Sequence, residues 1–160
     1  MTTRIRLETT TRRHSLKNRM NLATIKNYDD IWSIFKKYKK VFPHIRTDYL
    51  KRQIKNNNVI FENDVVIVKD TYKRKVNLGN TSFDKGTTII HQIANNNQGN
   101  GYSSVVLNKF LNEVKNKVIL TVRKSNQIAR KFYEKNNFKE VGKICWQNNQ
   151  IEGVIYEVWL

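Results

Sequence analysis

"QGNGYSSVVLNKF", residues 98–110, sets Gly99 and Gly101 close together and then runs into an apolar pattern at helical spacing. The 160 residues hold only six glycines, so two of them in one short turn ask for a reason. A glycine turn between a strand and a helix leaves backbone N–H groups uncovered at the positive end of the helix dipole, where an anion binds well. The spacing is not that of a P-loop, because no Gly-Lys-Ser/Thr follows. It is not a dinucleotide fingerprint either, because Ser104 stands where the third glycine would be. Taken alone, the segment reads equally as an ordinary strand-to-helix turn or as a phosphate site.

Working outward, Val106, Leu107, Phe110, Leu111 and Val114 form the stripe of an amphipathic helix after the turn. "TTIIHQIA" before it and "KVILTV" after it read as strands. Ser125 or Asn126 caps a further helix, with Ile128, Ala129, Phe132 and Tyr133 on one face. "FKEVGKICW" and "GVIYEVW" close the chain as strands around the turn "QNNQ". Toward the start, "NLATI" reads as a first strand. Asp29 and Asp30 cap a helix whose apolar side is Ile31, Trp32, Phe35 and Tyr38, ended by Pro43, and a short helix around residues 47–55 presents Tyr49, Leu50 and Ile54. "NVIFE" and "DVVIVKDTY" form a hairpin around Asn63-Asp64. The predicted order is β-α-α-β-β-β-α-β-α-β-β, an α/β (α+β) domain over residues 20–160 without internal repeats.

The length suits one domain. No apolar run reaches the roughly 20 residues of a membrane span, and the start has no apolar core of a secretory signal, so a cytoplasmic protein without membrane contact is expected. A single cysteine, Cys145, expected to be a small core residue, and no Cys/His cluster at zinc spacing leave no metal in the prediction. The charge is +17, from 30 Lys+Arg against 13 Asp+Glu. Such self-repulsion calls for a polyanionic partner, and nucleic acid is the expected one. The abundance of Asn, Lys and Ile fits AT-rich coding, but that bias would enrich Glu as well, so the deficit of acids is left for function to explain. Residues 1–19 carry six Lys/Arg against Glu8. They read as a solvated basic arm; a transit peptide is the alternative, against which stands the absence of an amphipathic apolar face.

Two stretches together carry a family resemblance. Gln98-Gly99-Asn100-Gly101-Tyr102-Ser103 resembles the Q/R-x-x-G-x-G/A signature of the GNAT superfamily of acyl-CoA-dependent N-acetyltransferases, with Ser103 in the last small-residue place. Downstream, "VRKSNQIARKFYEKNNF" is similar to the family's V-x-x-x-N-x-x-A-x-x-x-Y-x-x-x-G-F. Val122, Asn126, Ala129, Tyr133 and Phe138 match, and Asn137 replaces the usual glycine. Asparagine is the commonest non-glycine residue at the left-handed position after a helix, so the replacement is mild. The resemblance spans residues 20–160 and implies a mixed, mostly antiparallel sheet flanked by helices, with acetyl-CoA lying where two strands splay apart.

It further implies that the amides around Gly99, Gly101, Tyr102 and Ser103 take the pyrophosphate, that Gln98 and Asn100 present polar edges to it, and that the main chain at Ile93 and Ala94 holds the pantetheine arm. Asn126, Ala129, Phe132 and Tyr133 would line the cofactor, with Tyr133 donating to the leaving sulfur and Asn126 both capping its helix and reaching the cofactor or a water. An amine attacks the thioester directly, which needs a proton acceptor. His91 alternates with Ile89 and Ile93 on the strand where the family often keeps its base. A lone strand histidine is also often structural, and Gln92, on the opposite face, can orient a water. His44 and Arg46 in "VFPHIR" either touch the acceptor or sit on the surface, and Trp146 and Tyr156 either line the acceptor groove or pack in the core. The acceptor is expected to be a primary amine on, or associated with, DNA, as in phage-encoded GNAT-like proteins that modify DNA bases. The alternatives are a small-molecule or protein amine, or a nucleic-acid-binding protein that keeps the fold without turnover.

Overall fold

The computed structural model describes residues 20–159, so the basic arm lies outside the described residues. After a 3-10 turn at Ile25–Asn27, two helices follow, α1 (Tyr28–Lys37) and α2 (Thr47–Lys55). The hairpin β1 (Val59–Glu62) and β2 (Val65–Thr71) comes next, then a small hairpin β3 (Val76–Leu78) and β4 (Thr81–Phe83), and then β5 (Thr88–Asn95). The chain continues through α3 (Tyr102–Val114), β6 (Val118–Arg123), α4 (Gln127–Lys135), β7 (Lys139–Trp146) and β8 (Ile151–Val158). Six strands form one sheet in the order β1-β2-β5-β6-β8-β7, antiparallel except between β5 and β6.

Alternation along the strands builds two layers of core. Ile67, Ile90, Leu120, Val154, Tyr156 and Val158 pack against Val106, Leu107, Phe110 and Leu111 of α3 and Tyr133 of α4. On the opposite face, Val66, Val68 and Ala94 meet Ile31, Ile34 and Phe35 of α1 and Leu50 and Ile54 of α2. Beside them Ile89, Ile119 and Ile155 are covered by Phe83 and Leu78 of the small hairpin. Each of these buried aliphatic and aromatic side chains contributes about 1.5–3 kcal/mol, so both faces are firmly held.

The turns obey their residues. Asn63 and Asp64 are both left-handed (φ 50° and 60°), as a two-residue hairpin turn requires. Asn137 is left-handed after α4 (φ 71°), where the Phe138 N–H bonds the Tyr133 carbonyl at 3.0 Å.

Several expectations need correction. "NLATI" makes one isolated bridge, Leu22 with Ile60, because the chain turns at Thr24, whose N–H bonds Asn27 Oδ1 at 2.9 Å, before a second rung can form. Asp29 and Asp30 stand in the first turn of α1 rather than capping it, where their charge still complements the helix dipole. Ile128 is 86 % exposed instead of facing the core with Ala129 and Tyr133. Cys145 is exposed on β7 rather than buried. The hairpin β3–β4 was not predicted; its tip docks on β7 through the Asn80 N–H to the Lys143 carbonyl (3.1 Å) and the Lys143 N–H to Asn80 Oδ1 (2.8 Å).

Candidate active site

β5 and β6 pair only at Thr88 with Val118 and Ile89 with Ile119. Beyond these rungs the facing edges of residues 90–95 and 120–123 are not bonded to each other, so a backbone-lined gap opens toward the glycine turn. Ile93 is half-buried against the α3 side and Ala94 is buried on the α1 side, with the outer edge of Ala94 paired to Val66. Helix α1 pins the end of this strand: Tyr38 donates its hydroxyl to the Asn95 carbonyl at 2.8 Å and Lys37 Nζ donates to the Asn96 carbonyl at 2.7 Å.

At the mouth of the gap Gly99 (φ 87°) and Gly101 (φ 80°) are both left-handed, and an ideal Cβ on either would meet nothing within 4 Å. Gly101 is the N-cap of α3 and offers no side chain to its first amides. Among the described residues, the N–H groups of Gly99, Gly101, Ser103 and Ser104 have no acceptor. Open space, bare amides and a helix N-terminus coincide here, which is what a phosphate needs. The residues thus fit the pyrophosphate of an acyl-CoA.

The internal scaffold of the turn was not foreseen. Asn95, only 6 % exposed, donates through Nδ2 to Asn100 Oδ1 (3.1 Å) and Ser103 Oγ (3.0 Å), and accepts at Oδ1 from the Asn97 N–H (2.9 Å). Asn100 Oδ1 also accepts from the Tyr102 N–H at 3.0 Å. Asn100 thus spends its Oδ1 on bonds within the turn, while the residue as a whole stays exposed, as Gln98 does. Tyr102 is exposed on the first turn of the helix.

On the α4 side, Asn126 caps the helix as expected, accepting the Ala129 N–H at 3.1 Å. Ala129 and Phe132 are half-buried against the core. The Tyr133 ring is buried, edge-on to Phe132 (5.4 Å) and Phe138 (5.7 Å). No hydrogen-bond partner of its hydroxyl occurs among the described residues, and burial pushes the phenol well above its ordinary range, so it stays protonated as a donor. Tyr156 does not line an acceptor groove. It is fully buried on this same face, its hydroxyl accepting from Arg130 Nε (3.0 Å) and donating to Glu134 (2.8 Å).

The other face of the sheet holds a polar cluster. β5 carries a bulge: Val68 pairs with Gln92 and Lys69 with Ile90, so His91 has no partner. Ile89 and Ile93, which simple alternation puts together, fall on opposite faces. His91 and Gln92 both reach the network beneath α2, correcting the expectation that they point apart. His91 Nε2 lies 3.0 Å from Asp70 Oδ2, and Tyr49 donates its hydroxyl to Gln92 Oε1 at 3.3 Å. Tyr72 also lies beside Asp70: burial and then the carboxylate's charge raise its phenol.

His44 and Arg46 are exposed in the α1–α2 connection and at the N-cap of α2. Trp146 lies on the β7 edge with its ring over Gly153, away from the β5–β6 gap. Among the described residues no helix is long and apolar enough to cross a membrane.

No family model matches the chain, and no curated protein matches it. Solved structures do. A GNAT-family acetyltransferase from Bacillus cereus superposes with a TM-score of 0.62 at 19% identity, over 88% of this chain and 96% of that one. Ard1 from Thermoplasma volcanium gives 0.69 at 15%, over 89% and 97%. NAA60 from Arabidopsis thaliana, solved in complex with acetyl-CoA, gives 0.66 at 11%, over 89% and 98%. The chain has the fold of the GNAT acetyltransferases.

Proposed function

We propose that residues 20–160 form a single acyl-CoA-dependent N-acyltransferase domain that moves an acetyl group to a primary amine. The observation that carries this reading is the coincidence of the bare-amide glycine turn with the β5–β6 gap, which has His91 on one side of the sheet and Tyr133 on the other. Acetyl-CoA supplies an activated thioester, whose carbonyl carbon bonds the amine nitrogen as the C–S bond breaks. The turn's amides hold the pyrophosphate. His91 takes the proton the amine must lose, and the Tyr133 hydroxyl gives one to the departing sulfur and regains it from solvent.

The acceptor reading is an amine on, or held by, nucleic acid. Residues 28–55, which form α1, α2 and their connection, carry eight Lys/Arg against three Asp, and Lys73, Arg74 and Lys75 follow Tyr72 in an exposed loop. None of these cations is in an ion pair among the described residues; the Lys and Arg pairs involve Lys109, Lys117, Lys124 and Arg130 instead. Unneutralised charge thus gathers on the elements that surround His91, where a polyanion would dock.

The test is to incubate the protein with acetyl-CoA, look for retained CoA by native mass spectrometry, then add amines and follow free thiol. DNA with and without an aminomethyl base is included and digested for acylated nucleosides. Failure to retain CoA would overturn the transferase reading. Thiol release with small amines alone would overturn the nucleic-acid acceptor while leaving the transferase.

A further inference from the structure

The His91 imidazole is not alone, and its partner is itself held. Asp70 Oδ2 receives Gln53 Nε2 at 2.9 Å as well as His91 Nε2 at 3.0 Å, and Asp70 Oδ1 receives Asn58 Nδ2 at 2.8 Å. Asn58 Nδ2 also donates to Gln53 Oε1 at 2.9 Å, so the two amides that grip the carboxylate fix each other. Gln53 is buried, only 6 % exposed, and points inward from α2. These donors reach the carboxylate from α2, from the residue just before β1 and from β5, which leaves it little freedom to turn.

An ionised carboxylate only accepts, so the 3.0 Å contact places the hydrogen on His91 Nε2. In the neutral ring the lone pair is then on Nδ1, which has no partner among the described residues. We propose that Asp70, clamped by Gln53 and Asn58, is a positioning residue that fixes the Nε2–H tautomer of His91 and so leaves Nδ1 as the nitrogen that takes the amine's proton. The proposal rests on the reading of His91 as the base. A bulge that lifts His91 out of the ladder would otherwise leave its ring free to rotate, and a rotating base loses most of the advantage of position.

The chain has three histidines, which makes the tautomer directly readable. Long-range 1H–15N correlation spectra of 15N-histidine protein are recorded above pH 8, with His91→Gln identifying the signal. The expected wild-type pattern is the Nε2–H tautomer. Asp70→Asn keeps the shape, but its amide can donate to Nε2 as well as accept from it, so both tautomers should appear. Turnover should then fall about 100-fold, the lower end of what a general base supplies, with unchanged affinity for CoA. Gln53→Leu should give a smaller change in the same direction. An Nδ1–H or evenly mixed tautomer in the wild type would overturn the proposal even if neither variant folds. So would Asp70→Asn turning over at the wild-type rate. Wild-type turnover in His91→Gln would instead remove the base reading; the tautomer spectrum, which does not depend on turnover, tells the two failures apart.

Discussion

Gly101→Val tests the anion cradle. The residue stands at φ 80° as the N-cap of α3, and a Cβ there meets nothing within 4 Å. The isopropyl group therefore finds room in the free protein, and the cost to the fold is the left-handed backbone alone, about 1–2 kcal/mol. For a domain of this size that lowers Tm by roughly 2–8 °C. The same empty space is what a phosphate would occupy against the N–H groups of Gly101 and Ser103. A hydrogen bond to a charged group contributes about 1.5–3 kcal/mol. Losing one of them costs about 1.5–3 kcal/mol, which raises Kd for CoA roughly 10- to 150-fold. Gly79→Val is the control. It is also left-handed (φ 56°), but its Cβ would run into the Lys143 carbonyl where the β3–β4 tip docks on β7. It should lower stability and leave CoA affinity alone. Calorimetric titration with CoA, beside thermal melts of both variants, separates the two effects. An unchanged Kd in a folded Gly101→Val protein would refute the assignment of the cradle.

Tyr133→Phe should lower turnover about 100-fold with CoA affinity unchanged, and should barely move Tm, because the hydroxyl has no hydrogen-bond partner among the described residues. Burial raises this phenol above its ordinary 10.0, so the donor is still protonated as pH climbs through that value, and kcat should show no descending limb from Tyr133 below pH 10. A wild-type decline centred lower, and absent from the Phe variant, would contradict the buried donor. Asn95→Leu strips the amide that holds Asn100 and Ser103; the unpaired groups should cost about 1–3 kcal/mol of stability, and CoA titration should show weaker binding as the turn loosens. DNA affinity plotted against salt on logarithmic axes should flatten by about one unit per lost phosphate contact when Lys73, Arg74 and Lys75 are changed to Ala, whereas Lys109→Ala, whose cation is already paired with Glu62 at 2.7 Å, should leave the slope as it was.

Most of the layered architecture was legible because its signals are local. The stripe Val106, Leu107, Phe110 and Leu111 is buried as its spacing requires, and the Asn63-Asp64 and Asn137 positions adopt the left-handed backbone their residue types tolerate. The hairpin β3–β4 was missed although Gly79-Asn80 between "VNL" and "TSF" is a hairpin dipeptide. Its strands are short and half-exposed, and most of what holds them is remote, a docking on Lys143 and Gly142 far along the chain. The first strand failed for the converse reason. "NLATI" has strand composition, but Thr24 and Asn27 close a turn inside it, and a local hydrogen bond outcompetes a second rung.

The site divides in the same way. Gly99, Gly101 and the Asn126 cap are backbone roles, written in the residue types themselves, and they stand where their sequence implied. Asn95 and Asp70 were invisible because nothing local marks them. Asn95 is one asparagine among many in "ANNNQGN", distinguished only by burial. Asp70 sits in the ordinary strand "VVIVKDTY" and gains its meaning from Gln53, Asn58 and His91 on three other segments. The alternation that singles out His91 in the sequence is one the chain does not keep. One extra residue in β5 is compatible with an apolar run on both of its sides, since "TTII" and "IA" each remain buried or half-buried in either register. Only pairing with β2 decides where the extra residue goes. It falls on the one position that carries an imidazole, and it turns that imidazole onto the face where a carboxylate is already gripped. A regular strand would have kept His91 and Gln92 on opposite faces; the bulge lets both reach the polar cluster beneath α2.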